Sequence, residues 1–313
     1  MLLGIDIGGT RIKAACVDES GSVVQARNVN TPACLDHFRD AVRELVKELI
    51  GPSSAIRSVG IGCKGIINPE TTRVEVLPGT LHYLEGQVLA EVLSPALPAG
   101  TRIGADNDAR VALAGEVAWG AAQQCRNAVM LTLGTGVGGA VLAEGRILRG
   151  ATGAAGHIGH LTLVPDGPLC ICGNRGCLET LFSARAIESE AFAAIHRGVE
   201  SRLLACATKT PSCAEVFELA QQGDAVAADI VQRATKALGA ALAGLALVFD
   251  PEMFILGGQI SEAGDALLVP LRAEIAWRSR GMLRRDVPVV RSKLSDPSGV
   301  IGAAALAMEM LRS

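Results

Sequence analysis

Aromatic side chains are scarce: Phe, Trp and Tyr together make up 3% of the 313 residues, with a single tyrosine. A surface that stacks single-stranded nucleic acid needs exposed rings, so that class of function is disfavoured. Positive charge is not in excess either. The formal net charge is −3, which draws the chain neither to a nucleic-acid backbone nor to an anionic membrane surface. No stretch of about 18 uncharged apolar residues occurs, so no membrane span is predicted. The opening, MLLGIDIGGT, has no basic lead and reaches Asp6 almost at once, unlike a signal peptide. These absences predict a cytoplasmic protein with no nucleic-acid or membrane partner.

What is present suits a large buried core: 49% of residues are hydrophobic and 19% charged. A chain of this length predicts two domains of roughly 150 residues. The 36 glycines point to tight turns where backbone approaches a ligand. Nine cysteines, an odd number, read as buried thiols or metal ligands in a cytoplasmic chain, not as disulfides. Cys16, Cys34, Cys63, Cys125, Cys206 and Cys213 are scattered and are expected to pack in the interior. Cys170, Cys172 and Cys177 are clustered and stand apart.

The pattern opens strand, turn, strand, turn, strand: Leu2 to Ile7, Gly8-Gly9-Thr10, Ile12 to Val17, Glu19-Ser20-Gly21, then Val23-Val24. Apolar residues at helical spacing (Phe38, Val42, Leu45, Val46, Leu49) predict a helix over 35–50. Ser58 to Gly62 and Thr101 to Ala105 read as buried strands, the second running into Asp106-Asn107-Asp108 and a helix through Trp119. The opening pattern then recurs at an offset of about 126 residues. Asn127 to Leu133, Gly134-Thr135-Gly136 and Val137 to Ala143 repeat strand, turn and strand, and Ile147-Leu148 opens a further strand. This predicts a duplicated fold with one glycine hairpin per lobe; a chance likeness of two hairpins is the alternative. A Gly- and Cys-rich segment from Leu148 to Glu179 reads as a functional loop. Residues 183–248 are mostly helical, with Asp224 as N-cap of a helix to Val248. Met253 to Leu256 reads as a strand before Gly257-Gly258, and a last helix covers about 298–311.

Two of these turns have the chemistry of phosphate binding. Asp6-Ile7-Gly8-Gly9-Thr10 offers unobstructed backbone N–H groups, a hydroxyl, and a carboxylate able to hold Mg²⁺ directly or through water. Gly134-Thr135-Gly136-Val137-Gly138-Gly139 repeats it, and two such turns can grip a polyphosphate from opposite sides. Each alone is equally a tight hairpin. Neither is followed by Gly-Lys-Ser/Thr, and a strand instead of a helix follows each, so neither common nucleotide fingerprint applies. Gly257-Gly258 could present backbone to an adenosine or simply begin a helix. A carboxylate within Asp106-Asn107-Asp108 can accept the proton of a substrate hydroxyl, which together with positioning and charge neutralisation is what phosphoryl transfer asks of a protein. The same residue types are routine N-caps, and Asp106 could be purely structural. His160, Cys170, Cys172 and Cys177 match a closed Cys₃His zinc site with no position left for an activated water. An iron–sulfur cluster would prefer four cysteines at other spacings, and free buried thiols are the remaining alternative.

These motifs resemble the repressor, open reading frame and kinase family of sugar kinases, within the hexokinase and actin superfamily. The resemblance is carried by Asp6-Ile7-Gly8-Gly9-Thr10, Asn107-Asp108-Ala109, Leu133-Gly134-Thr135-Gly136-Val137-Gly138-Gly139, Gly159-His160, the segment Cys170 to Glu179, and Leu256-Gly257-Gly258. It implies an α/β, actin-like and ribonuclease H-like duplicated fold. One lobe would span residues 1–118 plus about 297–313, and the other 119–296 with a zinc loop at 157–179. It implies ATP-dependent phosphorylation of a hexose hydroxyl, O6 in most members, in a cleft between the lobes, with ATP, Mg²⁺ and a structural Zn²⁺. Asp108 is implied as the general base. Gly65, Asn107, Asp108, His157, His160 and Glu179 are implied as sugar contacts, with His160 also a zinc ligand. Asp6, Gly8, Gly9, Thr10, Gly134, Thr135, Gly136, Gly257 and Gly258 are implied as the nucleotide site. A homo-oligomer, dimer or tetramer, is a further implication. Repressor members carry a helix-turn-helix domain before the first glycine turn; with Asp6 the sixth residue, a kinase is the expectation.

Two positions depart from the family pattern. His157 stands where a glutamate commonly binds the sugar near C1 and C2, and Lys64 stands where proline is commoner. A carboxylate only accepts hydrogen bonds, whereas a neutral imidazole donates at one ring nitrogen and accepts at the other. An amino- or N-acetyl-hexosamine kinase is therefore a second expectation, and a sugar sensor of the same fold without turnover a third.

Overall fold

The computed structural model describes residues 1–50, 56–206, 210–294 and 298–312. The side chain of Cys206, expected to pack, and the expected lobe boundary at 296–297 lie outside the described residues. The chain divides into two compact units.

The first unit comprises Met1–Arg126, Ala140–Gly156 and Ser292–Ser313. Its sheet begins with β1 (Leu2–Ile7), β2 (Arg11–Val17), β3 (Val23–Asn30) and β4 (Ser58–Cys63). After the small hairpin β5 (Ile66–Ile67) and β6 (Val74–Val76), it is completed by β7 (Arg102–Asn107). The order is β3-β2-β1-β4-β7, antiparallel at the β1–β2–β3 edge and parallel from β1 through β4 to β7. Every residue of β4 is buried, which explains why its sequence is a continuous run without polar alternation. Helix α1 (Leu35–Ile50) buries the apolar stripe from which it was predicted. The short α2 (Leu89–Leu93) and α3 (Asp108–Trp119) follow.

The second unit comprises Asn127–Gly139 and His157–Arg291. Strands β8 (Ala128–Leu133) and β9 (Val137–Ala143) reproduce β1 and β2, and Ala128 and Ala143 lie 126 positions after Leu2 and Val17. Strand β9 begins in this unit and ends in the first. The chain passes through β10 (Arg146–Ile147), which counts with the first unit, and then forms α4 (Leu178–Leu181), α5 (Ala184–His196), α6 (Cys213–Gln221) and α7 (Ala225–Phe249) of the second. It then forms β11 (Met253–Gly257), α8 (Asp265–Ser279) and β12 (Val289–Arg291). The sheet order β10-β9-β8-β11-β12 repeats that of the first sheet role for role, with β8, β11 and β12 parallel. Duplication, and not a chance likeness of two hairpins, accounts for the repeat. Asp224 caps α7 as predicted: its Oδ1 accepts the N–H groups of Val226 at 3.1 Å and Ala227 at 2.9 Å.

Helix α9 (Ser298–Arg312) returns to the first unit and lies on β1 and β4. Glycine permits this approach. A Cβ on Gly60 would stand 1.8 Å from the Ala303 carbonyl oxygen, and one on Gly4 1.9 Å from that of Val300.

Several expectations differ from the fold. Ala140–Gly156, expected in the 119–296 lobe, belongs to the first unit, where the Arg110 guanidinium on α3 donates to the carbonyls of Gly153 at 2.9 Å and Ala155 at 2.8 Å. The strand expected at Ile147-Leu148 is only Arg146–Ile147. Cys34 is exposed instead of packed, because it sits just ahead of α1 with its thiol 3.3 Å from His37 Nδ1, and Cys125 is only half-buried. Cys16, Cys63 and Cys213 are buried as expected. Among the described residues no helix is long and apolar enough to cross a membrane.

Candidate active site

In the first unit three parallel strands end together. Ile7 of β1 is opposite Cys63 of β4, and Cys63 is opposite Asn107 of β7. The next residues, Gly8, Lys64 and Asp108, are each the first beyond its strand. The carboxyl ends of parallel strands are where ligands of α/β sheets bind. The Gly8 N–H donates to the Arg11 carbonyl at 3.0 Å, closing the first glycine turn and leaving Gly9 and Thr10 exposed at its tip. Thr31 braces the turn: its hydroxyl donates to the Gly8 carbonyl at 2.8 Å and its N–H to that of Thr10 at 2.9 Å. Asp6 is half-buried at the end of β1, facing the backbone at Gly299.

The run Asp106-Asn107-Asp108 separates into three roles. Asp106 is buried and bonded to Arg110 Nε at 2.5 Å and Arg149 Nε at 2.8 Å. Burial alone would lower the pKa of Arg149, but the hydrogen bonds and charges of Asp106 and, to a lesser degree, Glu309 outweigh it and hold the pKa above the ordinary arginine value. Asp106 is therefore structural, which settles the alternative its position left open. Asn107 is the N-cap of α3, its Oδ1 accepting from Ala109 N–H at 3.0 Å and Arg110 N–H at 3.4 Å. Its Nδ2 donates to the Gly65 carbonyl at 3.0 Å, which leaves one amide hydrogen for a ligand. Gly65 has φ +91°, and a Cβ there would meet the Val76 carbonyl oxygen at 2.3 Å, so the turn before Asn107 requires glycine. Asp108 is exposed, with Oδ1 on the Ala109 N–H at 2.9 Å. It is an accessible carboxylate on the capped terminus of α3.

The second unit holds the other sequence-identified groups. The Gly134 N–H donates to the Gly136 carbonyl at 3.0 Å, with Thr135 exposed at the turn. Glu179 Oε2 accepts the Val137 N–H at 2.8 Å and lies where a Cβ on Gly136 would be. The carboxylate thus buttresses the second glycine turn, a contact the sequence did not disclose. Gly257 ends β11 opposite Thr132 of β8, and a Cβ on Gly258 would stand 2.4 Å from the Leu133 carbonyl oxygen. The second and third glycine turns therefore adjoin.

The donor atoms of His160, Cys170, Cys172 and Cys177 all lie within 4.8 Å of one another. Cys172 Sγ and Cys177 Sγ are 3.7 Å apart, and Cys170 Sγ and His160 Nδ1 are 3.5 Å apart. A tetrahedral zinc with Zn–S bonds of about 2.3 Å has edges of about 3.8 Å, slightly shorter to nitrogen, so the donor set fits that ion. Backbone bonds hold the loop closed: Cys170 N–H to the Asn174 carbonyl at 2.8 Å, and Gly173 N–H to that of Cys170 at 3.0 Å. Because α4 starts at Leu178, directly after Cys177, the same loop places Glu179. The His157 ring lies nearly parallel to that of His160, 15° between planes and 6.4 Å between centroids. His157 is thus set beside the metal loop.

The family described as ROK matches residues 2–310. The chain belongs to the ROK family. A glucokinase of Streptomyces coelicolor is 36% identical over 318 residues, covering 99% of this chain and 98% of its own. A ROK family glucokinase from Streptomyces griseus, solved in complex with glucose and AMPPNP, superposes with a TM-score of 0.84 at 32% identity over 98% of this chain and 99% of its own. The N-acetylglucosamine repressor of Escherichia coli O6:H1 is 30% identical over 86% of this chain, and the match covers 63% of the repressor. The duplicated sheets of this ROK protein are the actin-like α/β fold the motifs implied.

Proposed function

We propose that this sugar kinase of the ROK family transfers the γ-phosphoryl group of ATP to O6 of a hexose, with glucose as first choice and Asp108 as general base. The observation that carries the reading is the exposed Asp108 carboxylate directly after β7, a strand that ends in register with β4 and, through it, with the end of β1 where the first glycine turn begins. The sugar hydroxyl gives its proton to Asp108 as its oxygen bonds to the γ-phosphorus. The bond from that phosphorus to the β-bridging oxygen breaks, and ADP leaves with the electron pair. Such transfer is catalysed mainly by positioning and charge stabilisation. The Gly8-Gly9-Thr10 and Gly134-Thr135-Gly136 turns offer backbone N–H groups to the phosphates, and Gly257-Gly258 presents backbone to the adenosine. Asn107 keeps one amide hydrogen for the sugar, and His157, His160 and Glu179 complete its contacts. Asp6 would hold Mg²⁺, which would offset phosphate charge. His160, Cys170, Cys172 and Cys177 would hold Zn²⁺ as a scaffold that fixes the His160 ring and the start of α4.

A second reading, an N-acetylhexosamine kinase, is favoured by one feature: an imidazole at position 157, able to donate as well as accept, beside His160. Coupled ADP release across glucose, mannose, fructose, glucosamine, N-acetylglucosamine and N-acetylmannosamine separates the two. Glucose should give the highest kcat/KM, and its product should be oxidised by a glucose 6-phosphate dehydrogenase. A product phosphorylated elsewhere refutes O6, and preference for an acetylated sugar supports the second reading. In that case His157→Glu should shift kcat/KM toward glucose by roughly tenfold or more. No ADP release with any sugar would leave a sensor.

A further inference from the structure

Lys64 is the residue just past the end of β4, a position for which the family pattern gives no role. Strand β4 lies between β1 and β7, so its end lies between the first glycine turn and Asp108. Cys63 is the last residue of β4, and Lys64 follows it as Gly8 follows Ile7 and Asp108 follows Asn107. The next residue, Gly65, is tied by its carbonyl to Asn107. The backbone carrying the lysine is therefore fixed on the side nearest the base.

The side chain reaches the other way. Lys64 Nζ donates to Thr80 Oγ1 at 3.0 Å and to the Pro78 carbonyl at 3.3 Å. A Cβ on Gly9 would stand 3.0 Å from the same Thr80 Oγ1. The ammonium and the tip of the first glycine turn thus face each other across one hydroxyl. Both acceptors are neutral, and among the described residues no carboxylate is paired with Lys64. An ammonium has three N–H groups, so one is left over. The buried Cys63 thiol registers the same placement. Burial pushes its pKa up, the charges of Asp108 and Asp6 push it further, and that of Lys64 pulls it down.

We propose that Lys64 is a phosphate-contacting residue of the transfer, its ammonium meeting the γ-phosphoryl oxygens as the group passes from ADP to the sugar. This rests on the phosphoryl-transfer reading above and adds to it a positive charge from the protein itself. Lys64 contributes charge alone, as a compact cation does toward phosphate. Proline at this position, the commoner residue in the pattern, could supply none of it.

The test compares wild type, Lys64→Met and Lys64→Arg for kcat, KM for ATP, melting temperature, and the Kd for glucose without nucleotide. Methionine keeps the length of the stem and removes the charge. Lys64→Met should lower kcat by roughly 10²-fold, with the glucose Kd within about twofold of wild type. Lys64→Arg should restore most of the loss. A kcat for Lys64→Met within about threefold of wild type overturns the inference while leaving the kinase reading intact. So does a loss shared equally by Lys64→Arg and matched by a drop in melting temperature, because the lysine would then only brace Pro78 and Thr80. A wild type that turns over no sugar overturns both.

Discussion

Asp106, Asn107 and Asp108 show how far three adjacent residues can diverge. Residue types alone marked the run as a strand-to-helix junction with acid–base chemistry without assigning it, because Asp and Asn both cap helices; only the family resemblance pointed to Asp108. Burial decides. Asp106 faces inward between two guanidinium groups, Asn107 caps, and Asp108 faces solvent. Removing one partner of a buried ion pair leaves an uncompensated charge. Asp106→Asn should therefore destabilise the first unit by about 3–5 kcal/mol in urea unfolding. A loss below about 1 kcal/mol would show that Arg110 and Arg149 do not depend on it. Arg149 itself was not foreseen. Its partner lies 43 positions away, and neither periodicity nor motif connects them. Lys64 was legible only as a departure from a pattern; its place at the strand ends required the register of three strands.

At the level of elements, legibility followed length and amphipathicity. Helix α1 was readable from its apolar spacing, and α7 from Asp224 and the apolar run behind it. Strands β10 and β12 have two and three residues, too few for a period, and pairing with longer neighbours creates them. The hairpin β5–β6 had no signal for the same reason. The metal loop was legible because ligand chemistry does not depend on periodicity: a histidine and three cysteines at short spacing suffice. That loop ends where α4 begins, so an ion held there would also fix the placement of Glu179. Cys172→Ser should abolish stoichiometric zinc in metal analysis and lower the unfolding free energy by about 3 kcal/mol. Unchanged stability after complete loss of the ion would refute a structural role.

On the scale of the whole molecule, the offset of 126 residues was visible in the opening strands and holds through both sheets. The assignment of Ala140–Gly156 to the first unit was not visible. It depends on Arg110, a buried guanidinium donating to two carbonyls far along the chain. The return of α9 could be expected only from the family resemblance. The glycines that admit it, Gly4 and Gly60, gave no sign in the sequence that a helix would cover them. Duplication gives each unit a glycine turn, but the first alone carries the carboxylate at position 108. In the proposed mechanism turnover depends on that group, while binding of the sugar would be shared among several side chains. The direct measurement is kcat for Asp108→Asn with ATP and the preferred sugar, alongside calorimetric Kd for that sugar. A fall of about 10³-fold in kcat, with Kd retained within about threefold, is expected if Asp108 is the base. A variant that turns over within about tenfold of wild type would contradict it.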